Sequence, residues 1–160
     1  MDLATALKRL EKLEQEMAEL YRWLADLFAD DRETAAFFKQ MESQEASHAE
    51  LVRFEKRLVR SDASSFAGLE FDPSGIDEIE GWIRAFRDDE ESPSLGRALV
   101  FAMRVESHAA EHLHRTIFAG ANSDLHALIG NLSRSDWKHF EALREFAAAH
   151  ADSLGDRRAY

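Results

Sequence analysis

The chain has 160 residues, a net charge of −11 and no cysteine, a composition that fits one globular domain. Without cysteine it has no disulfide, no thiolate nucleophile and no cysteine-bound zinc or iron–sulfur cluster. The negative charge argues against non-specific binding to nucleic acid, and the longest apolar run, at 98–103, is too short to cross a bilayer. The N-terminal residues lack the apolar core of a signal peptide, so we expect a cytoplasmic location.

Apolar residues with helical spacing predict two long helices in the first part of the chain. The first covers 3 to about 28, and Glu14 lies beside its apolar stripe. Three neighbouring acids are better placed to face water: Glu11, Glu16 and Glu19. The second helix covers about 32–60, and its apolar stripe contains Glu45 and His48. The short connection predicts that the two helices form an antiparallel hairpin.

Two further long helices are predicted in the last part of the chain. The third runs from near 94 to about 119, and Glu106 replaces an apolar residue in the middle of its stripe. The fourth runs from about 124 to 151 and carries Asp136 and His139 on its apolar face. Two histidines of the third helix point off that face and are expected at the surface: His108 and His112.

The two halves of the chain repeat one pattern of buried polar residues. Three pairs of positions match at separations of 92, 91 and 91 residues: Glu14 and Glu106, Glu45 and Asp136, His48 and His139. An acid three residues before a histidine shares its helical face. That spacing alone is a weak signal, because Glu111 and His114 also have it and Glu111 is expected to face water. The shared register is stronger, since it brings six mid-helix side chains to one level of a bundle core.

The repeat also predicts the topology. A pseudo-twofold axis makes the second and third long helices parallel, so their connection must travel the length of the bundle, ~40 Å for ~27 residues. The segment 61–92 is long enough and contains a short amphipathic helix at 76–86, best explained as packing cover. We therefore expect a single all-α domain over 1–160, with helical hairpins at 3–60 and 93–151.

The six repeated residues resemble the ligand pattern of ferritin-like di-iron carboxylate proteins, especially the rubrerythrin-like branch. The resemblance covers residues 3–151 and implies a ferritin-like four-helix bundle with two iron ions, although manganese and zinc also suit oxygen and imidazole ligands. Each histidine would bind one ion, the acid of each pair would bridge or chelate, and each lone glutamate would be a terminal ligand. The implied metal ligands are Glu14, Glu45, His48, Glu106, Asp136 and His139.

Other positions agree with the family pattern or depart from it. Tyr21 lies where such proteins often carry a tyrosine near the metals. Asp136 stands where the family has glutamate and reaches one methylene less far. Leu113, which matches Tyr21 in the second half, cannot donate a hydrogen bond to a ligand. No cysteine-rich, rubredoxin-like segment is present, so reductive turnover would need a separate electron-donor protein.

The leading hypothesis is a non-haem di-iron oxidoreductase that reacts with hydrogen peroxide or O₂. The alternatives are ferroxidase-type iron binding or storage, which uses the same ligands, and a structural bundle whose metal site is degenerate. We expect a homodimer that binds neither nucleic acid nor membrane. The pattern does not identify which residues would be catalytic.

Overall fold

A computed structural model describes residues 2–61, 72–89, 92–113 and 123–151 of the chain. Its elements in that part of the chain are five α-helices and one π-helical segment, with the expected all-helical character. In chain order they are α1 (Leu3–Leu27), α2 (Arg32–Ser61), α3 (Ser74–Asp89), α4 (Leu95–His108), the π segment (Ala109–Leu113) and α5 (Ser123–Ala149). The predicted end of the third long helix and the side chains of His112 and Leu113 lie outside the described residues.

Short polar residues set where three of the long helices begin. The carboxylate of Asp2 accepts a hydrogen bond from the Thr5 backbone amide at 3.0 Å and caps α1. Asp31 accepts from the Thr34 amide at 3.3 Å at the start of α2, and Ser94 caps α4. These side chains satisfy amides that have no partner within the first helical turn. The helix starts predicted at 3, 32 and 94 therefore agree with the structure to within one residue.

The first hairpin, α1 with α2, is antiparallel and is tied together by ion pairs. Arg22 on α1 contacts Glu42 on α2 at 2.7 Å. Further along, Glu11 pairs with Arg53 at 2.7 Å and also with Lys56. Glu11 is only 8% exposed, so the prediction that it faces water was wrong. Two basic side chains of α2 cover it, and this partnership depends on the register of the hairpin.

The second hairpin, α4 with α5, is also antiparallel, and α5 runs antiparallel to α2. Consequently α2 and α4 are parallel, as the pseudo-twofold repeat predicts. Two contacts define the direction of α5 against α4 and the π segment: Glu106 with His139, and Ala110 with Ser133. Two others define its direction against α2: Phe37 with Phe146, and His48 with Ser135. The structure is compatible with the expected helical bundle. None of the described helices combines the length and apolarity needed to cross a bilayer.

Helix α3 lies on the outside of the bundle, against α1 and α4. Its three isoleucines are buried: Ile76, Ile79 and Ile83. Arg9 of α1 contacts Asp77 at 2.6 Å and Glu80 at 2.9 Å. On the other side, the rings of Phe86 and Phe101 stack with centroids 3.9 Å apart. The short helix is therefore packing cover, as its amphipathic pattern indicates, and extends beyond the predicted 76–86.

His108 lies beneath α3 rather than on an open surface. Its ring centroid is 4.7 Å from that of Trp82. Its Nε2 lies 3.0 Å from the carboxylate of Glu78. These contacts agree with the expectation that His108 points away from the helix face that carries Glu106. The expectation that His108 lies at the surface was wrong, because α3 covers it. The helical stripe locates a side chain on its own helix and does not reveal which element covers it.

A π-helical segment, Ala109–Leu113, follows Glu106 by three residues. A π turn widens the helix and frees a backbone carbonyl from the regular ladder, and such turns often lie beside functional sites. Here the hydroxyl of Ser133 donates to the Ala110 carbonyl at 3.3 Å. The sequence did not predict the π-helical segment, because π turns have no characteristic amino-acid composition.

Candidate metal centre

The six residues of the repeated pattern are all buried, with exposed fractions between 0% and 8%. They come from four helices and lie in the interior of the bundle. Glu14 belongs to α1, Glu45 and His48 to α2, Glu106 to α4, and Asp136 and His139 to α5. Ionisable side chains are rarely buried unless they are paired or bind a metal. A cluster of six therefore marks this level of the bundle as a candidate metal centre.

The carboxylate of Glu45 lies between the two histidines. Its Oε2 is 3.1 Å from Nδ1 of His48, and its Oε1 is 2.7 Å from Nδ1 of His139. The two imidazole rings are stacked, with centroids 5.1 Å apart and planes 18° from parallel. A carboxylate that offers one oxygen to each side is in the position required to bridge two cations.

The lone glutamates extend the cluster on each side. Oε2 of Glu14 lies 3.5 Å from Nδ1 of His48, and Oε2 of Glu106 lies 3.6 Å from Nδ1 of His139. Each histidine therefore has its Nδ1 directed towards two glutamates: the central Glu45 and the lone glutamate of its own half. The contact between the lone glutamate and the histidine of the same half thus occurs in both halves, as the pseudo-twofold repeat predicts.

Two overlapping sets of three side chains can hold a metal ion. Each set has ligand atoms within 4.8 Å of one another: Glu45, His48 and His139 in the first, and Glu106, Asp136 and His139 in the second. Asp136, the residue that departs from the family pattern, is thus 3% exposed and close enough to contribute an oxygen. Glu14 is absent from both sets, but its carboxylate lies near Nδ1 of His48, the same ring nitrogen that Glu45 contacts.

Four polar atoms of the cluster are buried without a well-directed hydrogen bond: Glu14 Oε2, Glu45 Oε1, Glu106 Oε2 and His139 Nδ1. The short approach between Glu45 and His139 lies off the hydrogen-bonding direction, so it does not satisfy either atom. Leaving a buried polar atom without a partner costs about 1–3 kcal/mol. A bound cation would satisfy all four atoms, so the donor set fits a metal with oxygen and nitrogen ligands.

Burial and mutual charge shift the pKa values of the cluster in opposite directions. Burial raises the pKa of Glu14 well above its usual value, and burial with the nearby charge of Glu45 raises that of Glu106 to about 8. Burial would also raise the pKa of Glu45, but the two histidines outweigh it and lower the value to about 2.

The histidines retain protons in the absence of metal. Burial opposes their charged form, but the glutamates around them outweigh burial and raise the pKa of His48 to about 11 and that of His139 to about 10. Together with the raised values of Glu14 and Glu106, protons neutralise much of the cluster's charge. A metal ion would have to displace these protons, so metal binding and proton release are coupled at this site.

Tyr21 is fully buried, and its hydroxyl donates a short hydrogen bond to Oε1 of Glu106. The tyrosine comes from the first hairpin and the glutamate from the second, so this bond connects the two halves. Burial, reinforced by the charge of Glu106, raises the pKa of Tyr21 well above 10. The side chain is therefore a neutral phenol that can donate at physiological pH.

Ser135 is the residue of the site that the sequence pattern did not single out. Its hydroxyl lies 2.7 Å from Nε2 of His48, on the side of the ring opposite the glutamates. A serine immediately before Asp136 is an unremarkable residue in a sequence. Only its position in the helix could have predicted this contact. A residue directly before an inward-facing residue lies on the side of the helix that faces a neighbouring helix.

The fold and cluster define a class: an all-helical protein with a buried carboxylate–histidine centre that can bind metal. Comparisons of the chain with family models, curated proteins and solved structures gave no match. The function is therefore inferred from the geometry and chemistry of the six residues.

Proposed function

We propose that the protein is a ferritin-like, rubrerythrin-type di-iron protein that reacts with hydrogen peroxide or O₂. The observation that carries the proposal is the buried cluster of four carboxylates and two imidazoles, with Glu45 between His48 and His139. Four of its polar atoms lack well-directed hydrogen bonds. These features are expected of a site whose ligands are arranged for cations rather than for one another.

Charge supports two divalent ions. Four ionised carboxylates carry −4, which two divalent cations balance. Without cations, each ionised acid in the core costs several kcal/mol, whereas a whole domain has only about 5–15 kcal/mol of stability. The raised pKa values of Glu14 and Glu106 are the metal-free response to this cost. Iron and manganese match the oxygen and imidazole donors, and the absence of sulfur ligands is consistent with both.

The proposed ligands have distinct roles. His48 and His139 would each hold one ion, and Glu45 would bridge the pair, with Asp136 bridging or chelating from α5. Glu14 and Glu106 would be terminal ligands, one in each half. When bound, two ferrous ions supply the two electrons that, with two protons, reduce one hydrogen peroxide to two waters. Restoring those electrons would need a donor other than an iron–sulfur site in these 160 residues, which contain no cysteine, and we propose a separate electron-donor protein.

The protein's own contribution is to position ligands and limit water. The helices bury the six side chains to 8% exposure or less, which excludes bulk solvent from the ligands. The phenol of Tyr21 holds one oxygen of Glu106 and leaves Oε2 without a hydrogen bond. Glu106 is therefore oriented before a metal binds, which lowers the reorganisation that binding requires.

The test is anaerobic titration with ferrous iron, followed by steady-state peroxide consumption with a chemical reductant. We expect two ions per chain and repeated peroxide turnover. Glu106→Gln should lower the stoichiometry, whereas Glu111→Gln, at an exposed glutamate near the same helix end, should not. Retention of many iron atoms per chain without peroxide turnover would favour storage. A stoichiometry of zero in the parent would contradict the proposal and favour a structural bundle.

A further inference from the structure

His48 is held from both sides of its ring. Nδ1 faces Glu45 and Glu14, and Nε2 lies 2.7 Å from the hydroxyl of Ser135. The histidine belongs to the first hairpin and the serine to the second. Ser135 therefore reaches across the bundle to the ring nitrogen that faces away from the carboxylates.

The chemistry of imidazole determines what this contact can do. A histidine that binds a metal through one nitrogen keeps its proton on the other, and the partner of that N–H selects the tautomer and the ring orientation. A ring that binds a metal through Nδ1 keeps its proton on Nε2 and can donate it to the Ser135 oxygen, and a fully protonated ring can donate there as well. A serine hydroxyl can accept this bond and still use its own proton elsewhere.

The other half of the site lacks the same contact. The 91-residue repeat matches Ser135 with Gln44, which directly precedes Glu45 as Ser135 precedes Asp136. Gln44 is half-buried, and no hydrogen bond joins it to His139 within the described part of the chain. The proposed ligands follow the pseudo-twofold repeat, but among the described residues the hydrogen bond to the second ring nitrogen is present for His48 and not for His139.

We propose that Ser135 is a positioning residue that holds His48 with Nδ1 towards the carboxylates and makes the His48 half of the centre the better organised one. The role in metal binding rests on the proposed function, whereas the ring orientation concerns the metal-free protein as well. Because Ser135 adjoins Asp136, the rotation of α5 that buries the acid also places the hydroxyl against His48.

The first arm of the test needs no metal. In ¹⁵N-labelled metal-free protein, the Nε2–H of His48 should give an observable, slowly exchanging proton signal. Ser135→Ala should broaden or remove this signal while the ring signals of His139 change little, and Ser135→Thr should restore it. Ser133→Ala is the matched control, since it removes a half-buried hydroxyl two residues away on the same helix. An unchanged His48 signal in Ser135→Ala would overturn the proposal.

The second arm measures zinc and manganese binding by calorimetry. Ser135→Ala should weaken one of two sites by about tenfold, the lower end of what loss of a supporting hydrogen bond costs a metal site. Ser135→Thr should recover most of the affinity, and Ser133→Ala should match the parent. Equal affinities in the parent and Ser135→Ala would overturn the proposed effect on the metal. A parent that binds no metal would instead contradict the proposed function, and the first arm would still decide the role of Ser135.

Discussion

The two hairpins contribute matching residues to the candidate centre, but the contacts that support those residues differ. The first hairpin consists of two uninterrupted α-helices and supplies Tyr21. In the second hairpin, α4 passes into a π segment soon after Glu106, and the buried acid of α5 is the shorter Asp136. The second hairpin supplies Ser135, which supports a histidine of the first.

The six buried residues thus match between the hairpins, whereas the residues that support them do not. Tyr21 of the first half holds Glu106 of the second, and Ser135 of the second half holds His48 of the first. Each hairpin thus holds a residue of the candidate centre on the other. We infer that the hairpins depend on each other for a well-formed centre, and that the His48 half binds metal more tightly than the His139 half.

The largest effect is expected from removing the residue that both halves share. Glu45→Ala takes away the carboxylate between His48 and His139, so affinity should fall at both sites by more than about 100-fold, beyond the loss caused by a supporting residue. Metal content after dialysis and calorimetric titration measure it. Loss confined to one ion would mean that Glu45 serves one half only.

The inequality of the halves is tested by paired histidine variants. His48→Ala should cost more bound metal than His139→Ala, because it strips the better-organised half. Asp136→Glu should tighten the weaker site by about tenfold, a gain of ~1.4 kcal/mol, because it restores reach without changing charge. Metal titrations of the three variants decide the matter. Equal losses in the histidine variants, with no gain from Asp136→Glu, would show that the backbone already compensates for the shorter acid.

Metal should stabilise the assembled centre as a whole. A ligand present at a hundred times its dissociation constant stabilises the native state by about 2.7 kcal/mol, which corresponds to a rise of about 5–10 °C in melting temperature at this chain length. Scanning calorimetry with ferrous or manganous ion, and then with a chelator, measures the shift. A melting temperature that ignores both additions would mean that the hairpins pack independently of metal.

The pH dependence of the free energy of unfolding, measured without metal, tests which buried groups of the cluster hold protons. The folded pKa of Glu106, about 8, exceeds its ordinary value of 4.5, and those of His48 and His139, about 11 and 10, exceed 6.5. Each group contributes stability below its unfolded pKa that is lost as pH rises through its folded pKa. Metal-free stability should therefore fall between about pH 4.5 and pH 11.

Glu45 acts in the opposite sense and at lower pH. Its folded pKa of about 2 lies below 4.5, so its contribution is present above pH 4.5 and lost as pH falls towards 2. Chemical denaturation across this range should thus show maximum stability near pH 4.5. Glu106→Gln should flatten the decline between pH 4.5 and 8, and an unchanged slope would contradict the assignment of that proton to Glu106.

The smallest effect is expected from the tyrosine that joins the halves. Tyr21→Phe removes one hydrogen bond to Glu106 and keeps the ring packing against Phe38. Its cost should be about 1 kcal/mol, or about 2–4 °C in melting temperature, with the His139 half affected more than the His48 half. A loss of metal confined to the His48 half would contradict the proposal that Tyr21 supports the His139 half through Glu106.

The sequence by itself determined the helices, their antiparallel pairing and the burial of all six repeated residues. These properties follow from local periodicity and from matching separations of 91 and 92 positions, both of which are written along the chain. Apolar spacing identifies the face of each helix that is buried, and a polar residue on that face is visible without knowing its neighbours.

Tertiary structure decided which side chains meet across helices. The burial of Glu11 beneath Arg53 and Lys56, and the cover that α3 places over His108, depend on the register of one helix against another. The contact between Ser135 and His48 spans 87 positions and requires a particular rotation of α5. Helical periodicity describes each helix about its own axis, whereas such contacts depend on how far each helix is turned and shifted against its neighbour.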